Sequence, residues 1–298
     1  MNNQLKGFLF IMISATGSAT LSIFTKYAFA AGANITTIIS VRFLLAALFL
    51  LLVLKLRHIS PFIDFKLMVQ LCMLGAIGYG GMSILFANSL HYLTASLTGM
   101  LLYTYPAMVT LLSFWVGDEQ FSTGKMIALF ICLAGLSLVL GVSSADAPLI
   151  GILSVLGAAV IYSVYIVISN RILKRVNPLT ASTYICASTG IVAFLYGLLD
   201  HSFIWHLPTQ GWLAILGITI FPTVIGILCF FSGLNLIGPA NAAILCTLEP
   251  LITMLLSIAL LGETITYSQI NGGLFIISGI IFLQLPALKV RKSKDLTL

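Results

Sequence analysis

Ten stretches of about twenty residues, each nearly free of formal charge, fill the sequence from Gly7 to Leu288. Twenty residues is the length of helix that crosses the roughly 30 Å hydrocarbon core of a bilayer. The stretches are Gly7 to Ala31, Asn34 to Leu56, Leu67 to Leu90, Thr94 to Val116, Gly124 to Val142, Leu149 to Ser169, Leu179 to Leu199, Gly211 to Leu234, Pro239 to Leu261 and Ser268 to Leu288. Glycine, proline, asparagine and charged residues punctuate them, and the connections are short. With 60% hydrophobic residues and 7% charged, the chain is far from the roughly 25% charge of soluble domains. A soluble globule, a disordered chain, a coiled coil and a collagenous fibre are excluded together. The expected fold class is all-α integral membrane, with ten transmembrane helices and the lipid bilayer as the first partner.

The placement of the 14 basic residues orients those helices. With a cytoplasmic N-terminus and alternating spans, Lys6, Lys55, Arg57, Lys66, Lys125, Arg171, Lys174, Arg175, Lys289, Arg291, Lys292 and Lys294 all fall on the cytoplasmic side. The opposite loops hold Asp146, Asp200 and Glu263 and no basic residue. Over short loops such a bias sets orientation, so the expected location is the cell (inner) membrane, multi-pass, with both termini cytoplasmic. The net charge of +6 is accounted for by that bias and implies no nucleic acid. Ala28-Phe29-Ala30 resembles a signal-cleavage site, but the first apolar run is longer than a signal core and carries hydroxyls and a lysine, so it is expected to remain as a span.

Sliding the chain on itself by 144 positions reveals internal repetition. Leu90 then overlays Leu234, Pro106 overlays Pro250, Leu111-Leu112-Ser113 overlays Leu255-Leu256-Ser257, Glu119 overlays Glu263 and Gly135 overlays Gly279. The expected organisation is a first five-helix repeat over residues 1–143 and a second over residues 144–298, the latter with a short basic tail. Five is odd, so the second repeat is expected upside down relative to the first. Inverted repeats are the architecture of secondary transporters, which rock about a site near the midplane.

Lys26 followed sixteen residues later by Arg42-Phe43, Pro106 followed by Glu119, Leu248-Glu249-Pro250 followed by Gly262-Glu263, and Tyr162 to Arg171 with Pro178 together resemble the EamA family of the drug/metabolite transporter superfamily. The likeness covers nearly the whole chain and rests on the order and spacing of these residues in two copies. It implies a ten-span carrier with a central cavity between the halves, and export of amino acids or other small metabolites. Thr16 and Gly17 stand where the family often has tryptophan, and Asp118 intrudes between Gly117 and Glu119.

Polar groups in a bilayer are costly, so each requires an account. Ser14, Ser18, Ser22 and Thr25 share one face of the first span, and Tyr162, Tyr165 and Ser169 one face of the sixth, the repeat overlaying Ser18 on Tyr162. Two such faces either line a cavity or serve helix packing through their own backbones. Tyr79, among Gly75, Gly78, Gly80 and Gly81, overlays Thr223, beside Pro222 and Gly226. These helices are expected either to bend or to pack closely. The candidate substrate-binding residues are therefore Ser18, Ser22, Tyr79, Tyr105, Tyr162, Tyr165 and Thr223.

Charge depth separates three more residues. At 1.5 Å per residue Lys26 lies about 8 Å from its helix end, Arg42 about 12 Å and Glu249 about 15 Å, near the midplane. Lys26 can snorkel to the surface; Arg42 must find carbonyls, a carboxylate or water, in a structural or substrate role. Glu249 is the candidate coupling group, because hydrocarbon favours the neutral carboxyl and makes proton exchange useful. Two structural readings stand beside it: a strut paired with Arg42 or Lys26, or a partner for the backbone that Pro250 disturbs.

No HExxH, GxSxG or phosphate-binding loop occurs, and no enzyme is indicated. Cys72, Cys132, Cys186, Cys229 and Cys246 have no ligand spacing and read as packing residues. Asp200, His201 and His206 read as solvated loop residues rather than a metal site. No cofactor and no metal are expected; a small-molecule substrate is, and a homodimer stays open. Within transport, a flippase for a lipid-linked sugar or an importer is the alternative. A membrane enzyme or receptor is the reading from another class, disfavoured by the short loops and absent catalytic motifs.

The charge bias carries its own test. In a cysteine-free background, single cysteines replacing Asn3 or Ser293 are expected to resist an impermeant thiol reagent in intact cells, and cysteines replacing Asp146 or Asp200 to react. Labelling of a terminus from outside would reverse the orientation.

Overall fold

The computed structural model describes residues 3–89, 92–93, 95–119, 122–140, 148–261 and 267–295. Asp146, Glu263 and His91 lie outside the described residues, as do the side chains of Ser22 and the basic tail from Lys289 to Lys294. The described residues form helices and connections, with no strand among them.

Among the described residues, seven helical stretches are long and apolar enough to cross a membrane: Asn3–Ala30, Ile35–Leu56, Phe65–Phe86, Leu149–Ile172, Pro178–Leu199, Thr209–Ile237 and Pro239–Leu256. Two shorter apolar helices are Thr123–Leu138 and Ile270–Leu283. The fourth expected span is instead two short helices, α6 (Ala95–Leu102) and α7 (Tyr105–Trp115), with a turn at Tyr103 and Thr104. Pro106, which has no N–H to donate, stands in the first turn of α7, where a helix can restart at no cost. The ninth expected span breaks comparably, α13 (Pro239–Cys246) giving way at Thr247 to α14 (Leu248–Leu261) with Pro250 in its first turn. The first divides into α1 (Asn3–Ala19) and α2 (Leu21–Ala30) at Thr20.

The third and eighth spans bend through widened turns. A π-helical segment, π1 (Leu74–Tyr79), joins α4 (Phe65–Met73) to α5 (Gly80–Ser89). A second, π2 (Thr219–Ile225), joins α11 (Thr209–Ile218) to α12 (Gly226–Ile237). Such turns leave carbonyls without their usual donor, and hydroxyls supply it. Thr223 Oγ1 donates to the Ile218 carbonyl at 2.8 Å, the acceptor that an α-helix would pair with the N–H missing from Pro222. Thr189 Oγ1 of α10 (Pro178–Leu199) donates to Gly75 O in π1 at 2.9 Å, and Ser14 Oγ of α1 to Gly226 O at 2.7 Å.

Three helix pairings organise the rest: α1 with α12, α9 (Leu149–Ile172) with α5, and α3 (Ile35–Leu56) with α10. A fourth joins α8 (Thr123–Leu140) to α15 (Tyr267–Asp295). There Cys132 Sγ contacts Ile276 O at 3.7 Å, its partner 144 positions away. Phe43, Leu50, Ile166, Ile185 and Phe231 fill the core between pairs. Leu48, Phe130, Leu153 and Leu274 lie exposed on the flanks, an apolar surface suited to lipid and not to water.

Glycine permits the close crossing of α8 and α15. A Cβ on Gly135 would stand 2.5 Å from Gly272 O and 2.7 Å from Phe275 Cβ, and one on Gly279 3.0 Å from Ala128 O. Gly135→Val is expected to push α8 from α15 and destabilise the protein by about 1–3 kcal/mol. Gly124→Ala, with nothing nearer than 3.7 Å, is expected to be tolerated. Thermal unfolding of the two variants in detergent checks the contrast.

Candidate functional site

The helix interruptions surround one interior cavity. It is lined by Ser14, Ala15 and Ser18 from α1, Tyr79 from π1, Tyr105 from α7, Tyr162 and Tyr165 from α9, Pro222 from π2, Gly226, Ile227 and Phe230 from α12, Cys246 from α13 and Glu249 from α14. Its free volume of about 50 Å³ is room for a few waters. A second recess beside Glu119 and Lys125 is far smaller, about 10 Å³.

The tyrosines form a connected group. Tyr162 and Tyr165 stack with centroids 5.8 Å apart and planes at 14°. Tyr105 meets Tyr162 edge-on at 4.8 Å and 68°, and Tyr79 meets Tyr165 at 5.8 Å and 70°. Tyr103, just below in sequence, has its hydroxyl within reach of the Glu249 carboxylate. Glycines let the backbones approach. A Cβ on Gly78 would fall 2.9 Å from the Tyr165 ring, and one on Gly17 2.7 Å from Phe221 O in π2.

Ser18, Tyr79, Tyr105, Tyr162, Tyr165 and Glu249 therefore meet at one place. Thr223 does not line it, because its hydroxyl is committed to π2. Of the hydroxyl stripe of the first span, Ser14 and Ser18 face the cavity; Thr20, at the break, bonds Gly17 O. Arg42 lies outside the lining, buried, with its guanidinium 4.4 Å from the Phe43 ring centre and next to the Tyr79 hydroxyl. No Arg42–Glu249 ion pair occurs among the described residues. Lys26 is exposed near the end of α2. Thr16, at the position where tryptophan was expected, points outward and bonds Met12 O of its own helix. Phe230, Cys246 and Tyr103 were not anticipated: the first two are apolar and indistinguishable from packing residues in sequence, and Tyr103 enters only through the break beside it.

One end of the molecule is tied by charge. Arg171, at the end of α9, donates from Nε to both Asp118 oxygens at 3.0 Å and from Nη2 to Val116 O at 2.8 Å. Glu119 pairs with Lys125 and accepts from Ala240 N at 3.0 Å, capping α13. Gly238, at φ +80°, brings that N-terminus so close that a Cβ would meet Glu119 Oε1 at 2.6 Å. The inserted Asp118 thus serves Arg171. The other end is held by Asn34 Nδ2 on Ser202 O and by Ile204 N on Thr37 Oγ1.

Residues 5–141 and 149–285 each match the EamA-like transporter family. The chain belongs to that family. Its likeness extends to the uncharacterized transporter YcbK of Bacillus subtilis, 26% identical over 97% of this chain and 94% of that protein. An uncharacterized transporter of Clostridium kluyveri is 24% identical over 93% and 92%. One crystal structure superposes with a TM-score of 0.82 at 20% identity, covering 96% of this chain and 98% of its own, a likeness of fold. The EamA match and the apolar helices identify a multi-pass membrane transporter, and these relatives' names point away from an enzyme.

Glu119→Ala removes the cap of α13 and the partner of Lys125 together. Loss of a helix cap costs about 0.5–2 kcal/mol, so amides 240–246 are expected to exchange hydrogen faster while those of α9 are unchanged. Hydrogen exchange with mass spectrometry reads both.

Proposed function

We propose that this EamA protein is a secondary transporter, ten-spanning in the inner membrane with cytoplasmic termini, that exports a small amphipathic metabolite by alternating access. Its halves are residues 1–143 and 144–298, set as inverted five-helix repeats. The observation that carries this reading is the cavity: Ser14, Ser18, Tyr79 and Tyr105 come from one half and Tyr162, Tyr165, Phe230 and Glu249 from the other. A chamber shared between halves changes shape when the halves rock, and a site within one half does not.

The contacts support a twofold relation. Cys132 touches the residue 144 positions away, Gly135 and Gly279 both stand at the same crossing, and π1 and π2 occupy corresponding spans. Five spans per repeat place the second copy upside down. Arg171 with Asp118, and Glu119 with Ala240 N, are then the cytoplasmic ties that must break when that side opens.

In this reading Glu249 is the coupling group. The titratable groups facing it are Tyr103, Tyr105, Tyr162, Tyr79 and Cys246, none a cation at neutral pH. With Arg42 over Phe43 and beside Tyr79, the strut reading loses one of its two candidate partners. Pro250 lies in the first turn of α14, where no N–H is required of it for the helix ladder.

Purified protein in liposomes, supplied with a pooled metabolite extract and read by mass spectrometry, tests the reading. Uptake or exchange of a small metabolite is expected. Ser18→Trp, which fills the cavity, should lower the rate at least tenfold at unchanged thermal stability, and Glu249→Gln should abolish the response to an imposed pH gradient while keeping exchange. Wild-type rates for Ser18→Trp would remove the cavity from the mechanism, and an unchanged pH response would make Glu249 structural.

A further inference from the structure

The connection between α3 and α4 holds aromatic rings outward. Ile35–Leu56 and Phe65–Phe86 are each long and apolar enough to cross the membrane, so the segment joining them, residues 57–64, lies at one membrane surface. It is a fixed turn. At the end of α3 the Ile59 N–H returns to Leu54 O at 3.0 Å and His58 takes a left-handed φ of 54°, which closes the helix. Ile59 and Ile63 then pack against the core, and the Tyr184 hydroxyl of α10 donates to Pro61 O at 3.0 Å. Between these fixed points Ser60 Oγ accepts from Phe62 N at 3.2 Å. Phe62 is left 86% exposed.

The neighbouring helices show what that ring faces. Leu48, Leu52 and Leu56 are exposed at every fourth position of α3, and Phe65, Val69 and Met73 at every fourth position of α4. Residues four apart share a helix face, so two apolar ridges run along the outside of the bundle and end on this segment. Ridges of that kind face acyl chains. Phe62, more exposed than any residue of either ridge, and Phe65, at 72%, stand where acyl chains give way to head groups.

The charges beside the two rings are cationic and unpaired. Lys55, Arg57 and Lys66 are exposed, and among the described residues no carboxylate pairs with them. The one acid of the segment, Asp64, accepts from Lys66 N at 3.2 Å as the N-cap of α4. Orientation of the chain needs only the cations. It does not need two phenylalanines held out between them.

We propose that residues 55–66 form a lipid-binding element that selects anionic phospholipids, Phe62 and Phe65 entering the acyl boundary while Lys55, Arg57 and Lys66 engage the head-group phosphates. A zwitterionic lipid brings its own ammonium group, which the three cations repel; an anionic one brings none. The long stems of the cations lie along the ridges and place their charged ends at head-group level. The element is independent of what the cavity carries.

Phe62→Trp, in a full chain whose Trp115, Trp205 and Trp212 are replaced by phenylalanine, reports contact with brominated lipid through its fluorescence. The purified protein is placed in nanodiscs of phosphatidylcholine and phosphatidylglycerol in equal amounts, with bromine on the acyl chains of one lipid or of the other. Composition and orientation are then the same in both preparations. Quenching by brominated phosphatidylglycerol is expected to exceed that by brominated phosphatidylcholine about twofold, and the excess to shrink in concentrated NaCl. Replacing Lys55, Arg57 and Lys66 together by glutamine should abolish the excess and leave quenching by both lipids in place. Thermal unfolding checks that the variants are folded. Native mass spectrometry of the chain with its own tryptophans, released from the same lipid mixture without bromine, gives a second reading: retained phosphatidylglycerol should outnumber phosphatidylcholine, and the triple glutamine change should remove the difference. If the triple variant unfolds early, the salt series decides. Quenching by neither lipid would put the ring outside the acyl boundary, equal quenching would leave an interface without selection, and an excess indifferent to salt or to loss of the three cations would place the selectivity elsewhere. Each of these results overturns the proposal.

Discussion

In hydrocarbon a backbone N–H or C=O without a partner costs several kcal/mol, and this single requirement shapes the molecule. It makes the described residues helical, since a helix satisfies its own backbone within one segment. It also restricts where a helix can be interrupted. Each interruption seen here is accompanied by a side-chain hydroxyl or a proline that settles the local account: Thr20 at Gly17 O, Thr104 at Leu101 O, Thr223 at Ile218 O and Thr247 at Ile244 O. Ser14 and Thr189 do the same across helices, at Gly226 O and Gly75 O.

The interruptions gather around the cavity. A straight helix would keep its side chains in a continuous stripe, whereas π1 re-aims Tyr79 and the break before α7 re-aims Tyr105. The same break brings Tyr103 to Glu249. Glycines 17 and 78 then allow α1 to meet π2 and π1 to meet Tyr165 at distances no Cβ would permit. Packing and site formation are one process here: the contacts that close the bundle also face the tyrosines toward each other.

Much of the lining of the candidate cavity was legible in the sequence. Ser18, Tyr79, Tyr105, Tyr162, Tyr165 and Glu249 stood out because a polar group in an apolar run is conspicuous, and all six line one cavity. Thr223 stood out for the same reason and turned inward to its own helix, because an adjacent proline left Ile218 O in need of a donor. Phe230 and Cys246 were invisible, since among so many buried apolar residues nothing in a sequence separates a cavity wall from a core. Asp118 looked like an intrusion until Arg171, 53 residues away, was found bonded to it.

Composition and the length of the apolar runs by themselves determined that this chain lives in a bilayer as helices, because the free energy of transferring about twenty apolar residues outweighs any local preference. The 144-residue self-similarity likewise determined its division into two related halves, as covalent order alone can. What the tertiary structure decided was direction and distance. Whether a hydroxyl faces a cavity or its own carbonyl, and whether Arg42 answers Glu249 or lies over Phe43, depends on the rotation of each helix about its axis. That rotation is set by contacts between segments far apart in sequence, and no local pattern encodes it.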